Sequence, residues 1–262
     1  MSKADAYRQQ LLATDEEWDE LLRRESGLPG PRGNLELAQV VAGLGTPALF
    51  LRYAALDATR APVNTPDEFL AFCGVLGLGR LLVEGDLTML DRLRHHANDS
   101  RWRIREAVAM ALQSYGGPAM QRLVEALQPW CEGTWLEQRA AAAALCEPVL
   151  LQDGATTTAV LEMLDRITRQ ITQAPNRRSD EFRALRKGLG YCWSVAVVAH
   201  PAAGKPLMEK WARARDPDVR WIISENLKKQ RLSRMDKAWV EALQQQLRAP
   251  AADVGQRSVG DQ

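Results

Sequence analysis

The sequence predicts an all-α protein in which pairs of helices stack into an α-solenoid. Nearly every segment places apolar residues three and four positions apart, which is the spacing of one helix face. Helix starts recur at Thr65, Ser100, Thr134, Ser179 and Asp216, so the intervals are 35, 34, 45 and 37 residues. A period of this length, made of two helices, is typical of arrays in which each pair buries its apolar face on the next pair.

The composition is that of a folded globular protein. The chain has 262 residues, of which 46% are hydrophobic and 26% charged, so it can bury a sizeable core. The first residues lack an apolar signal segment, and no apolar run approaches the roughly 18 residues that span a membrane. We therefore expect a cytoplasmic protein with no membrane partner. The four cysteines lie far apart without C-x-x-C spacing, which favours reduced, buried thiols over disulfides or a zinc site.

The N-terminal region predicts a helical arm followed by an early helix pair. Residues 3–25 fit one acidic amphipathic helix, or two short ones that meet around Thr14, and GLPGPRGN at 27–34 reads as a linker. We interpret residues 1–33 as an acidic arm that caps or docks onto a repeat domain at 34–248. Within that domain, residues 35–57 supply the early pair, with Pro47 first in its second helix.

The repeat domain is punctuated by helix caps. Thr65 and Thr134 each begin a capping box with glutamate three residues later. Ser100, Ser179 and Asp216 precede the other long helices as N-caps. Shorter partner helices are expected at about 86–97, 118–130, 155–172 and 204–214. The tail, residues 249–262, lacks apolar periodicity and is predicted to be disordered.

Three glycines lie inside the first long helix, in CGVLGLGRLL. Gly74, Gly77 and Gly79 do not follow a strand and a turn, which a dinucleotide-binding fingerprint requires. We expect them to allow close helix packing instead, because glycine has no side chain to hold a neighbouring backbone away.

Three stretches carry a family resemblance: NDSRWRIREAVAMALQ, LRKGLGYCWSVAVVAHP and DPDVRWIISENLKKQRLSRMD. They resemble HEAT repeats, in which an Asp or Asp-Pro turn precedes a Val/Ile-Arg pair and a helix rich in Ala or Leu. Residues 65–240 also resemble a group of bacterial HEAT-like proteins that has no settled activity. The resemblance implies a right-handed α-solenoid of about five HEAT-like helix pairs, with the arginine-bearing helices on its concave surface.

The same resemblance implies a ladder of hydrogen bonds between turn aspartates and helix arginines of successive units. By position, this ladder falls on Asp99 with Arg105, and on Asp216 or Asp218 with Arg220. These residues are therefore expected to be structural.

Charge is distributed unevenly along the chain. Residues 1–90 carry 8 basic and 13 acidic side chains, whereas residues 166–234 carry 16 basic and 6 acidic ones, a net charge of +10. Such an excess suits an anionic partner, and it also fits a solvated surface that is merely basic.

Candidate binding residues come from helix faces that the apolar stripes leave free. In the helix after Asp216, a buried stripe from Val219 to Leu227 leaves Trp221 and Glu225 on another face. Trp221 then either looks into the concave groove or packs between repeats. The candidate groove residues are Trp102, Arg103, Glu106, Arg183, Arg186, Lys187, Tyr191, Trp193, Trp221, Glu225, Lys228 and Lys229. Arginines interleaved with tryptophans would suit phosphate binding and base stacking.

Two functions follow from these observations. The favoured hypothesis is a non-catalytic scaffold whose basic groove binds an acidic protein segment or nucleic acid, without a metal or small-molecule cofactor. The alternative rests on resemblance to the HEAT-like alkylpurine DNA glycosylases, which use aromatic residues, an arginine and an acid on a concave surface. Glu106 or Glu225 would be the acid in this chain, although no catalytic motif of those enzymes matches residue by residue.

Overall fold

The protein is all-helical, as the sequence predicts. A computed structural model describes residues 2–13 and 18–248. Within these ranges the chain forms fifteen α-helices, one short 3-10 helix and no β-strand. The expected disordered tail at 249–262 and the expected break at Thr14 lie outside the described residues.

The helices follow the predicted order. The first four are α1 (Lys3–Ala13), α2 (Asp19–Glu25), α3 (Leu35–Leu44) and α4 (Pro47–Ala54). The next are α5 (Pro66–Val83), α6 (Met89–Ala97), α7 (Trp102–Gly116), α8 (Met120–Leu127) and, after the 3-10 helix at Gln128–Glu132, α9 (Trp135–Leu145). The last six are α10 (Gly154–Gln173), α11 (Asp180–Ala199), α12 (Pro201–Ala212), α13 (Pro217–Leu227), α14 (Gln230–Met235) and α15 (Lys237–Arg248).

Most of the predicted N-caps form. The side-chain oxygens of Thr65, Thr134 and Ser179 each accept a hydrogen bond from the backbone N–H three residues later. Asp216 accepts from two backbone N–H groups at the start of α13. Each cap satisfies donors that a helix start would otherwise leave unpaired.

The cap expected at Ser100 is wrong. Arg101 is the N-cap residue of α7, and its side chain makes no capping bond. Instead, Asp99 Oδ1 accepts from the backbone N–H of Arg101 at 2.8 Å. Asp99, and not Ser100, fixes this turn, because its carboxylate binds both the backbone and the side chain of Arg101.

The long helices pack in sequence order. α5, α7, α9, α11 and α13 each contact the next one, whereas α6, α8, α10 and α12 pack beside them as a second set. The predicted apolar stripes face these contacts: in α13, Val219, Ile222, Ile223, Asn226 and Leu227 are all buried. One face of α7, α9 and α11 is left open, and it holds the candidate site.

The N-terminal helices belong to the same core as the rest. α1 packs on α3, α2 packs on α5, and Leu11 and Leu22 join the continuous apolar cluster. Arg23 Nε lies 2.7 Å from Asp67 Oδ1, which ties α2 to the start of α5. The boundary expected near residue 33 therefore does not separate two cores.

The glycines of α5 allow close packing, as expected. A Cβ on Gly74 would overlap the backbone of α4 at Ala54, one on Gly77 would overlap the Phe50 ring, and one on Gly79 would overlap α7 at Ala111. The absence of side chains at these positions thus sets how near α4 and α7 approach α5.

Cys73, Cys131, Cys146 and Cys192 are all free and buried. Over the described ranges, none of the helices combines the length and the apolar character needed to cross a lipid bilayer.

Candidate functional site

A depression of about 670 Å³, here called the central groove, lies over α7, α9 and α11. It forms because the alanine-rich helix α9 presents Ala143 between the larger side chains of its neighbours. One wall, on α7, carries Trp102, Arg105, Glu106, Met110 and Gln113. The facing wall, on α11, carries Ala184, Lys187, Gly188 and Tyr191.

The α7 wall is held by arginines. Arg139 of α9 forms an ion pair with Glu106 and donates to the backbone oxygen of Arg105 at 3.2 Å. Arg105 donates to the backbone oxygen of Asp99 at 2.6 Å. Trp102 remains 47% exposed at the end of this wall, so it is the aromatic residue of the α7 wall that a ligand could cover.

The α11 wall is more basic. Lys187 is exposed and has no carboxylate partner among the described residues. The hydroxyl of Tyr191 accepts a hydrogen bond from Arg231 Nη2 at 2.6 Å, and the Arg231 guanidinium lies 4.6 Å from the centre of the tyrosine ring. One ring face of Tyr191 is thus covered by a cation.

A second depression of about 670 Å³, here called the basic end, adjoins the central groove where Arg231 meets Tyr191. Its apolar floor includes Val195 and Val198, which continue the row of Tyr191 along α11 because they lie four and seven residues further on. Four cationic side chains line it: Lys228, Lys229, Arg231 and Arg234.

The basic end has little internal neutralisation. Within the described ranges, Glu225 is the one carboxylate paired with these four cations, through Lys228. Among the residues that the structure describes, Arg234 donates only to the amide oxygen of Gln230, at 3.3 Å. This depression therefore concentrates much of the uncompensated positive charge of residues 166–234.

Cations also lie close together in the central groove. Burial lowers the pKa of Arg105, and the nearby Arg139 guanidinium lowers it further. The shift reflects a site where positive charge is crowded and partly desolvated, and an anionic ligand would relieve it.

Two thiols form part of the central groove floor. Cys146 and Cys192 line the groove although both are almost completely buried. Burial raises the pKa of Cys146 well above its ordinary value, and the neighbouring Cys192 raises it further. The Cys146 thiol therefore stays protonated at neutral pH, so it is a poor nucleophile.

Two expected groove residues belong to the core. Trp193 is fully buried, and its indole N–H donates to Thr168 Oγ1 at 3.1 Å, so the expectation that it lines the groove is wrong. Arg103 is also buried, with Nη1 donating to Glu68 Oε2 at 3.0 Å and Nη2 to the backbone oxygen of Gly30 at 2.7 Å. Both side chains point inward because each finds a buried polar partner there.

Trp221 adopts the packing alternative. The Arg186 guanidinium covers its ring at 3.8 Å from the centroid. Arg186 Nε lies 2.8 Å from Asp218 Oδ1, although its N–H is not directed at an acceptor, so the contact is an ion pair rather than a hydrogen bond. Trp221 and Glu225 line a separate depression of about 460 Å³ beside α15. Arg183 is exposed and pairs with Asp180 at 3.1 Å, outside both grooves.

The expected ladder pairs do not form through the aspartate side chains. Arg177 Nη1, not Arg220, binds Asp216 at 2.7 Å and Asp218 at 3.0 Å. Arg220 instead donates to the backbone oxygen of Leu247 in α15.

The side chain of Asp99 binds Arg101, at 2.6 Å from Nη2, and Arg105 reaches only backbone oxygens. Asp99 binds Arg101 because Arg101 lies one helical turn nearer to it than Arg105 does. Asp216 and Asp218 bind Arg177, which lies on the loop before α11.

Residues that sequence reasoning left out complete the site. Arg231 and Arg234 line the basic end, and Arg139 organises the α7 wall. The charge excess over residues 166–234 contains the first two, but only folding brings Arg231 against Tyr191. Arg139 lies within the QRAAAAAL run, whose alanines indicate close helix packing and not a binding site.

Neither a metal site among the described residues nor a similarity to known proteins indicates a function. The described part of the chain contains no cluster of three or more His, Cys, Asp or Glu side chains that could hold a metal ion. Comparison with protein-family models, curated proteins and solved structures found no match. The function must be inferred from the geometry of the grooves themselves.

Proposed function

We propose that the protein is a non-catalytic binding scaffold, a right-handed HEAT-like α-solenoid of about five helix pairs whose grooves bind an acidic segment of a partner protein. The basic end carries this proposal, because Lys228, Lys229, Arg231 and Arg234 surround one depression with a single paired carboxylate. The sequential packing of α5, α7, α9, α11 and α13 supports the stacked-pair architecture. Four free, buried cysteines favour a cytoplasmic location.

An acidic protein segment fits better than nucleic acid. A single-stranded nucleic acid binds through bases stacked on free aromatic faces. Trp193 is buried here, and guanidinium groups cover faces of Trp221 and Tyr191. The floor of the basic end contains Val195 and Val198, which suits a peptide with both carboxylates and apolar groups.

Binding of a fluorescein-labelled deca-glutamate peptide, followed by fluorescence anisotropy at low salt, tests the proposal. Combined replacement of Lys229, Arg231 and Arg234 by glutamine should weaken binding at least about tenfold, since each charged contact contributes on the order of 1 kcal/mol. Labelled oligo-dT of the same charge should bind more weakly than the peptide.

The control changes the net charge equally. Arg178, Arg213 and Arg215 are exposed and line neither groove, so their combined replacement by glutamine should leave the affinity within about twofold. Equal losses in the two triple variants would show a non-specific charge effect. That outcome, or no peptide binding by the parent protein, would contradict the proposal.

The alternative is a DNA base-excision enzyme, and one observation favours it: Trp102, Arg105 and Glu106 share the central groove. An acid beside an exposed aromatic residue could stabilise a cationic sugar. Alkylated duplex DNA is the substrate for the test, with release of methylated purines as the readout. This function requires activity that Glu106→Gln abolishes and Glu225→Gln retains, since Glu225 lies in another depression. A well-folded parent protein without activity would rule it out.

A further inference from the structure

An apolar pocket of about 290 Å³ lies beside the central groove, where the segment before α3 meets α5 and α7. It is called the anchor pocket here. Its apolar lining consists of Leu28, Leu35, Phe69, Phe72, Trp102 and Met110. Neither groove hypothesis uses this pocket.

The anchor pocket opens onto the same surface as the central groove. Trp102, Glu106 and Met110 line both. Leu35 and Trp102 are each 47% exposed at this place. These two exposed side chains and the pocket between them form one apolar patch, the kind of surface used in protein interactions.

The size of the pocket limits its occupant. Small-molecule sites commonly enclose about 300–1,000 Å³, so 290 Å³ is at the bottom of that range. A single bulky side chain of a bound peptide fits this volume, and buried aromatic or aliphatic anchors of this kind dominate many protein interfaces.

The charges at the rim match an acidic peptide. Arg32 lines the pocket and has no carboxylate partner among the described residues. The other charged groups are neutralised within the protein: Glu106 by Arg139, and Arg103 by Glu68. The net charge offered to a ligand here is therefore the positive charge of Arg32.

We infer that the anchor pocket takes one bulky apolar side chain of the acidic segment whose carboxylates bind at the basic end. This inference rests on the proposed function. Helix axes pack about 8–10 Å apart, so the path from the pocket across α9 and α11 to the basic end is about 30 Å. An extended chain covers that distance in about nine residues. The partner motif is thus an apolar residue separated from an acidic cluster by about nine positions.

The probes are fluorescein-labelled peptides that join one tryptophan, a Gly/Ser spacer of about nine residues and five glutamates, made in both chain directions. Matched peptides carry alanine in place of tryptophan. At least one tryptophan peptide should bind at least about tenfold more tightly than its alanine match.

Variants locate the effect. Leu35→Gln should reduce the tryptophan advantage while leaving the alanine peptides' affinity unchanged, because Leu35 lines the anchor pocket and not the central groove or the basic end. Leu51→Gln is the matched control, because Leu51 is 36% exposed on α4 and does not line the pocket, and it should retain the full advantage. Thermal unfolding of each variant verifies that it is folded.

Three outcomes would overturn the inference. Equal binding of tryptophan and alanine peptides would refute the anchor while leaving the acidic-segment proposal intact. A tryptophan advantage that is undiminished in the Leu35→Gln variant would place the anchor elsewhere. If no acidic peptide binds, the proposed function and this inference fail together.

Discussion

Two arginines at the start of α7 are buried, although arginine is rarely found inside proteins. Arg101 is bound by Asp99 and donates to the backbone oxygen of Ala61 at 3.0 Å. Arg103 binds Glu68, which is fully buried, and reaches Gly30. These side chains join α7 to the loops before α3 and α5, so they fix how the N-terminal part of the chain seats on the long helices.

Arg103→Met should reduce the free energy of unfolding by about 3–5 kcal/mol, because the Glu68 carboxylate would remain buried without its cation. Urea denaturation measures the change. Adding Glu68→Gln to Arg103→Met should recover part of the loss. Arg183→Met is the control, and it should cost less than about 0.5 kcal/mol because its ion pair is exposed. Similar losses in the Arg103 and Arg183 variants would disprove the buried role.

His96 should make stability depend on pH. Burial, together with the charge of neighbouring His95, lowers the pKa of His96 from 6.5 to about 4. Between pH 6.5 and about 4 the unfolded chain therefore binds more protons at His96 than the folded chain does. The contribution of neutral His96 to the free energy of unfolding is fully present above pH 6.5 and is lost as the pH falls toward 4. The loss is at most about 3 kcal/mol. Urea denaturation at several pH values in this range measures the effect. The free energy of unfolding of the His96→Gln variant should vary less with pH than that of the parent protein. An identical pH dependence in the two proteins would contradict the role of His96.

At the scale of the helices, α4 and α7 pack closely on α5 at three glycines. Its neighbours α4 and α7 contact it where Gly74, Gly77 and Gly79 lack side chains. Glycine normally weakens a helix interior by about 1 kcal/mol relative to alanine. In α5, close packing offsets that loss, since a Cβ would have no room.

Gly74→Ala should therefore lower the free energy of unfolding by about 1–3 kcal/mol, despite the better helix propensity of alanine. The added Cβ would meet the α4 backbone, which cannot rotate away as a side chain could. Gly43→Ala in α3 is the control, because open space surrounds that position. It should stabilise the protein by up to about 1 kcal/mol. Thermal unfolding compares them, and a stabilised Gly74→Ala variant would refute the close-contact explanation.

At the scale of the whole molecule, one apolar cluster extends from α1 to α15. The acidic N-terminal helices pack on α3 and α5, so they do not cover the basic end beside α11 and α14. The opposite charges of the two halves therefore remain separated along the molecule instead of neutralising each other.

Deleting residues 1–33 should destabilise the protein by about 5 kcal/mol or more, because Leu11, Leu22 and Leu28 are buried in the shared core. Thermal unfolding of the shortened chain measures this loss. The deletion should not strengthen binding of deca-glutamate in conditions where the chain stays folded. Tighter peptide binding after deletion would instead show that the N-terminal segment shields the basic end.

Much of the helical organisation could be predicted from local sequence. The caps at Thr65, Thr134, Ser179 and Asp216 and the apolar stripe of α13 depend on neighbours within one or two turns, so periodicity and cap chemistry are sufficient. The cap at Ser100 failed because Asp99 competes for the same turn.

The candidate site was only partly predictable. Trp102 and Glu106 line a groove on the open face of α7, as expected from the helix period alone. Trp193 was misplaced because a partner on another helix, Thr168, holds it in the core.

The sequence by itself determined the helices, their order and the presence of a strongly basic region, because these properties arise from residues close together along the chain. Only the tertiary structure decided which arginines pair with carboxylates of the protein and which remain available to a ligand. Arg177 and Arg186 pair with aspartates, and Arg231 binds the Tyr191 hydroxyl, each with a partner more than thirty residues away. The free energy of each charge depends on what lies beside it in space. For that reason the location of a basic surface is a property of the folded protein.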